Sequence, residues 1–199
     1  MEGMKGRRGE TATASGDDRL ARRILDRCRD LDLLLAASES LTGGLMADAF
    51  VRVPGASDVF LGSAVTYDIE AKASVLGVTP GLLAEHGAVH PRVAQEMALG
   101  AARLYTQPGH EGRVLGLSTT GVAGPGPDNG RPAGLVYVAI AVPDGVLPGD
   151  ALGGLALDGY HLLSYELHLP GSRERVRRGT VRQLLVRLDQ LLAPRKLKA

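Results

Sequence analysis

One cysteine, Cys28, stands in a chain of 199 residues. That excludes an intramolecular disulfide and any cysteine-built metal cluster, fits a reducing compartment, and leaves the thiol a role in helix packing. Charge of one sign is also lacking: 23 Lys and Arg against 22 Asp and Glu leave a formal net charge of +1. A chain so balanced has no long-range field to gather nucleic acid or hold an anionic membrane, so any anion must be recognised locally. The expected partner is a small molecule, with no nucleic acid and no membrane. Long apolar runs are missing too: none approaches the roughly eighteen residues of a membrane span, and Met1 to Ser15 has no apolar signal-peptide core. The expected location is cytoplasmic. Nothing repeats at a fixed period, which argues against solenoids and propellers.

With 44% hydrophobic residues, the chain is long enough for one domain with a real core and short for two. Residues 1–16 read as a disordered tail, 17–193 as the domain and 194–199 as a basic, solvated tail. Asp17 and Asp18 precede Leu20, Ile24, Leu25 and Cys28 at helical spacing, which predicts a first helix. A strand over 31–37, a turn at Ser40, a helix over 43–51 and a strand over 59–66 follow. Helices are expected over 70–76, 80–86 and 91–105, the last two opened by Pro80 and Pro91. A strand over 114–119 precedes a glycine-rich loop, and 135–142 is a near-continuous apolar run of the kind buried on both faces. Residues 143–159 lack a period and read as a connection, 162–169 as a strand antiparallel to its neighbour, and 172–192 as the final helix. Strands interleaved with helices imply a three-layer α/β/α sandwich, with ligands gathered beyond the strand carboxyl ends.

Three stretches at such ends carry candidate chemistry. In Ser38-Glu39-Ser40-Leu41-Thr42-Gly43-Gly44 the hydroxyls of Ser38, Ser40 and Thr42 are equally eligible as a displayed nucleophile, and the same residue types also serve for capping. A serine needs a base, commonly His and in some enzymes a neutral Lys. His86 and His90 are four apart, yet Gly87 and Pro91 interrupt the helix that would align them, and no metal-binding context surrounds them. Lys72 lies one turn into a helix opening at Asp68. There the helix dipole and burial both favour the neutral amine, with Glu70 opposing. Tyr67 adds a phenol at the same strand end. The loop from Thr120 to Gly130 matches neither a Walker A sequence nor a dinucleotide-binding glycine turn. It suits a phosphate cradle, an oxyanion hole or a plain mobile loop. Arg173, Arg175, Arg177 and Arg178 crowd the positive end of the last helix, which is easier to understand if the pair Arg173 and Arg177 meets an anion.

These residues resemble the C-terminal domain of the CinA (competence-damage-inducible) family, also found as stand-alone nicotinamide-nucleotide amidases. The resemblance runs from about Leu20 to Leu192 through five ordered motifs: Ala37 to Gly44, Val65 to Lys72, Glu85 to Val89, Thr120 to Pro125, and Gly171 to Arg177. It implies a mixed, mostly parallel sheet in a homo-oligomer (dimer or higher). The implied activity is cofactor-free, metal-free hydrolysis of the carboxamide of nicotinamide mononucleotide to nicotinate mononucleotide and ammonia. It also implies Ser40 as nucleophile, Lys72 and Tyr67 as proton-handling partners, Thr120 as a pocket contact and Arg173 as an anion or substrate contact. Amides around Thr42, Gly43 and Gly44 are expected to hold the oxyanion, and the phosphate is expected near Gly121 to Gly126, Gly124 included, or near Arg173 and Arg177. The larger family proteins carry a further N-terminal domain for which this chain has no room, so the stand-alone form is expected.

The chain departs from the family pattern at four places. Leu41 replaces a cysteine, His90 a serine, Ser172 an aspartate, and Arg131-Pro132-Ala133-Gly134-Leu135 stands for Lys-Pro-Val-Gly-Thr. Leu135 and Ser172 are expected to alter pocket polarity and with it substrate preference. The rival expectation is a nucleotide-binding regulatory module that keeps the pocket without turnover.

Overall fold

The computed structural model describes residues 15–147 and 154–194. The chain enters through α1 (Gly16–Asp30), where Ser15 accepts from the Asp18 amide while Asp18 accepts from the Ser15 amide. Such a reciprocal cap satisfies two donors that a helix start leaves open. Ser15 and Gly16, assigned above to the tail, therefore belong to the fold; the rest of that tail and the basic tail beyond Pro194 lie outside the described residues.

After α1 come β1 (Leu34–Glu39), α2 (Leu45–Val51), β2 (Phe60–Val65), α3 (Ile69–Leu76), α4 (Pro80–His86) and α5 (Pro91–Tyr105). Then follow β3 (Val114–Gly121), β4 (Leu135–Pro143), β5 (Leu155–Leu157), β6 (Tyr160–His168) and α6 (Arg173–Leu191). β5 corrects the expectation of a plain connection between Pro143 and Gly159. Three residues paired at a sheet edge are too short to show alternation, and 148–153 lie outside the described residues. β1 also starts later than expected, because Asp32, at a φ of 56°, still belongs to the turn that leaves α1.

The six-stranded sheet has the order β2-β1-β3-β4-β6-β5. β1 pairs in parallel with β2 and β3, and the pairs β3–β4, β4–β6 and β6–β5 are antiparallel. β2, β1, β3 and β6 thus share one direction, which makes the sheet mixed with a parallel core.

Side-chain alternation explains why both sheet faces are covered. Leu35, Ala37, Leu115, Leu117, Val136, Val138 and Ile140 point to one side, where α1, α2 and α6 supply Ile24, Leu25, Cys28, Phe50, Leu184 and Leu188. Leu135, Tyr137, Ala139 and Ala141 point to the other, against Ala94, Ala98 and Leu99 of α5. Cys28 is fully buried and its thiol pKa is pushed up to about 12 by loss of solvent, as a packing residue requires. α5 lies so close to α3 that a Cβ on Gly100 would sit 2.1 Å from the carbonyl oxygen of Leu76. No described helix is long and apolar enough to cross a membrane.

Candidate active site

The shared direction of β1, β2 and β3 brings three loops to one end of the sheet: the Ser40 turn, the Tyr67 segment and the Thr120–Arg131 loop. β6 runs toward the same end, so α6 starts there with Arg173. A cavity of about 400 Å³ opens among them, lined by Ser40, Leu41, Tyr67, Ile69, Lys72, His86, Thr120, the loop from Gly121 to Asn129, Arg131 and Arg173.

Lys72 is held at its centre. Asp68 caps α3 by accepting from the Glu70 and Ala71 amides, at 2.8 and 3.1 Å. That places Lys72 one turn in and directs its side chain back toward the strand ends. The side chain is fully buried; its Nζ donates to the Thr66 carbonyl at 2.6 Å and to Ser40 Oγ at 3.2 Å. Desolvation pulls its pKa from 10.5 down to about 8, against a smaller opposing pull from Asp68. The opposing carboxylate is therefore Asp68, not Glu70 as expected. Of the three hydroxyls at the turn, only Ser40 meets the amine and lines the cavity. Ser38 donates to the Met97 carbonyl at 3.0 Å, and Thr42 donates to Glu39 at 2.7 Å.

Glu39 was not singled out in the sequence, and it organises the turn. Its carboxylate is fully buried and accepts from Thr42 Oγ1, Ser63 Oγ and the amides of Gly44, Met46 and Ala47, at 2.7 to 3.0 Å. A buried charge needs such partners, and these include the amides at the start of α2. The Gly43 amide bonds to the Ser40 carbonyl at 3.2 Å. The expected oxyanion role is thereby corrected for Gly43 and Gly44, whose amides are already bonded inside the turn; the Thr42 hydroxyl is bonded there too, while the Thr42 amide has no partner among the described residues. The Leu41 amide, next after Ser40 and at the cavity wall, has no partner among the described residues. A carboxylate at a strand end followed by Thr-Gly-Gly and a helix was the signal available for Glu39.

Two of the expected arginine and threonine contacts also turn out to be structural. Arg177 is absent from the cavity wall; its fork donates to the Leu41 and Thr42 carbonyls, both at 2.9 Å, and to Glu174 at 2.7 Å. It ties α6 to the Ser40 turn instead of meeting an anion from solution. Thr120 lines the cavity, yet its hydroxyl donates to the Ala88 carbonyl at 2.7 Å and braces the segment between α4 and α5. Arg173 is at the cavity, donating to the Gly124 carbonyl at 2.7 Å and to the Tyr67 hydroxyl at 3.0 Å. Gly121 and Gly124 both line it.

His86 and His90 do meet, contrary to the sequence expectation. The bend at Gly87 folds one imidazole over the other, with centroids 4.2 Å apart and planes 7° apart. His90 Nδ1 accepts from the Arg92 amide at 3.2 Å and so caps α5 in place of a serine hydroxyl. Ser172 likewise caps α6 by accepting from the Arg175 amide at 3.4 Å. Leu135 is buried in the core and does not reach the cavity wall, so the expected effect of Leu135 on pocket polarity is not found. No group of three or more His, Cys, Asp or Glu among the described residues is arranged to hold a metal ion.

Fold and site together define a three-layer α/β/α domain with a buried serine–lysine contact at the carboxyl ends of its parallel strands. The family profile described as the CinA C-terminal domain matches residues 17–192, and the chain belongs to that family. It is 38% identical over 186 residues to a CinA-like protein of Frankia casuarinae, covering 93% of this chain and 38% of that protein. With a putative competence-damage inducible protein of Caldanaerobacter subterraneus it shares 44% identity over 137 residues, 68% of this chain and 32% of the other. The chain thus spans about a third of the length of these curated relatives. Among solved structures, the competence/damage inducible protein CihA of Agrobacterium tumefaciens superposes with a TM-score of 0.75 at 31% identity, over 92% of this chain and 100% of that one. The competence damage-inducible protein A of Klebsiella pneumoniae gives 0.76 at 26% identity, again over 92% and 100%.

Proposed function

We propose that the chain is a serine amidase that removes ammonia from the carboxamide of nicotinamide mononucleotide. The observation that carries this reading is the 3.2 Å contact of Lys72 Nζ with Ser40 Oγ, in surroundings that lower the lysine pKa to about 8. At pH 7 about a tenth of such a lysine is neutral amine. That fraction takes the proton from Ser40 as the oxygen attacks the carboxamide carbon. The tetrahedral oxyanion faces the Leu41 amide, an unbonded donor directly after the nucleophile. As the C–N bond breaks, the Lys72 ammonium or the Tyr67 phenol gives a proton to the leaving nitrogen, and ammonia departs. Water, giving a proton to whichever of the two groups donated to the leaving nitrogen, then splits the serine ester into carboxylate and free Ser40. Arg173 holds Tyr67 at the cavity mouth through this cycle. The substrate follows from the family resemblance, and the cavity is of the size that encloses a small organic ligand.

The test is a product assay for ammonia and nicotinate mononucleotide. Ser40→Ala is expected to lower turnover at least about a thousandfold while still binding the mononucleotide. Near wild-type rates in that variant would sink the covalent mechanism. Binding by calorimetry without any ammonia from the unaltered protein would mark it as a regulatory module.

A further inference from the structure

Cations at this cavity differ in how far they are already committed. Lys72 is bonded to Ser40 and Thr66, and Arg173 to Gly124 and Tyr67. Arg131 is half-buried at the cavity wall, and its guanidinium makes no hydrogen bond or ion pair among the described residues. Its backbone is nevertheless firmly mounted. Asp128 and Arg131 exchange both main-chain bonds, at 3.0 and 2.8 Å, around Asn129 and Gly130 at φ values of 46° and 74°. That is the tight hairpin turn for which Asn-Gly is suited. An arginine on a rigid turn, unpaired and facing a cavity, is placed to receive a ligand's charge.

A second feature lies against it. His86, stacked on His90, lines the same wall, and a second hollow of about 440 Å³ shares His86, Gly87, Asn129 and Arg131 with the first. Ser40, Tyr67, Lys72 and Arg173 do not line that second hollow, so the Arg131–His86 wall is the part of the cavity removed from the reacting groups. The charge around it is mixed: Arg131 and Arg92 stand against Glu85, which lines the second hollow with Oε1 3.5 Å from His86 Nε2. Burial, His86, Arg131 and Arg92 all hold the His90 pKa below its usual value, with Glu85 pulling weakly the other way. Arg92 is partly answered by Glu96 at 3.5 Å. Asp128 lines the same cavity but forms no ion pair with Arg131.

We infer that Arg131, with the His86 imidazole beside it, forms a subsite for a phosphate monoester. A dianion there would meet the guanidinium in fork geometry, with the His86 imidazole alongside and held toward Glu85. Of the arginines expected to take the phosphate, Arg177 is tied to the Leu41 and Thr42 carbonyls and Arg173 to Gly124 and Tyr67. The identity of the molecule bearing the phosphate rests on the amidase reading; the subsite itself does not.

Calorimetry with ribose 5-phosphate, with ribose as control, tests the subsite without turnover. The unaltered protein is expected to bind ribose 5-phosphate and not ribose. Arg131→Ala should weaken that binding about tenfold or more, and Arg131→Lys by less. In the amidase assay the same Arg131→Ala variant should shrink the preference for nicotinamide mononucleotide over nicotinamide riboside, read as a ratio of kcat/KM, by a similar factor. Equal affinities for ribose 5-phosphate in both proteins, or no binding by the unaltered one, would overturn the inference. Binding that depends on Arg131 in a protein that releases no ammonia would leave the subsite standing and remove the amidase reading.

Discussion

A lysine shut away from water favours its neutral form, and Lys72 has no carboxylate within hydrogen-bonding reach to offset that. Its consequences reach both rate and stability. If Lys72 is the base, kcat/KM should climb about tenfold per pH unit below pH 8 and level off above it. Stability follows the same proton. Below pH 8 the lysine is charged in folded and unfolded chains alike, and the folded state bears the desolvation cost. Between pH 8 and 10.5 the folded chain gives up a proton that the unfolded chain keeps, so stability rises with pH across that window. Lys72→Met should therefore abolish turnover and raise stability at pH 7 by an amount on the order of 1–3 kcal/mol. Urea midpoints of the two proteins should converge as the pH approaches 10; a constant gap would show that burial does not act through the charge.

At the scale of elements, α5 and α3 set the depth of the site. Gly100 is helical, and an alanine there gains about 1 kcal/mol of helix propensity. The Leu76 carbonyl, 2.1 Å from where the new Cβ would sit, denies that gain. Gly100→Ala must push α3 outward and Lys72 with it. A net loss of about 1–2 kcal/mol in urea unfolding is expected, together with a fall in kcat larger than any change in KM. Unchanged stability would mean that the two helices separate freely. The helices were legible because their spacing and their prolines are local signals: Pro80, Pro91 and the stripe on α6 suffice to place them. β4 was legible as doubly buried from its unbroken apolar run. The antiparallel edge strand β5 was not, since three residues hold their place only through β6. The stacking of His86 on His90 also escaped, because it depends on a bend at Gly87 that brings side chains together outside any helical period.

Considered whole, the site is assembled across both helical layers. Ser40 comes from the turn after β1, Lys72 from α3, and the clasp on Tyr67 from Arg173 at the start of α6. Arg177, one turn further, grips the Leu41 and Thr42 carbonyls. Sequence reading gave it to an anion because an arginine at a helix start signals charge, while carbonyl oxygens distant in the chain leave no mark. Arg177→Ala should lower kcat about ten- to a hundredfold with KM within about twofold, since the turn loses its brace and the substrate loses nothing it touched. Lysine should not restore it, lacking the fork that spans two carbonyls. A raised KM with kcat intact would instead put the guanidinium on the substrate.

Ser40, Lys72, Tyr67 and Arg173 were each recognisable from motifs, and Glu39 was not, although it stands next to the proposed nucleophile. Its carboxylate fills the place at the start of α2 where α/β domains commonly trap anions. In the proposed reaction the carboxamide that arrives is neutral and the carboxylate that leaves is charged. A turn whose amides already hold an internal acid offers that newborn anion no foothold, so the protein is built to let its product go.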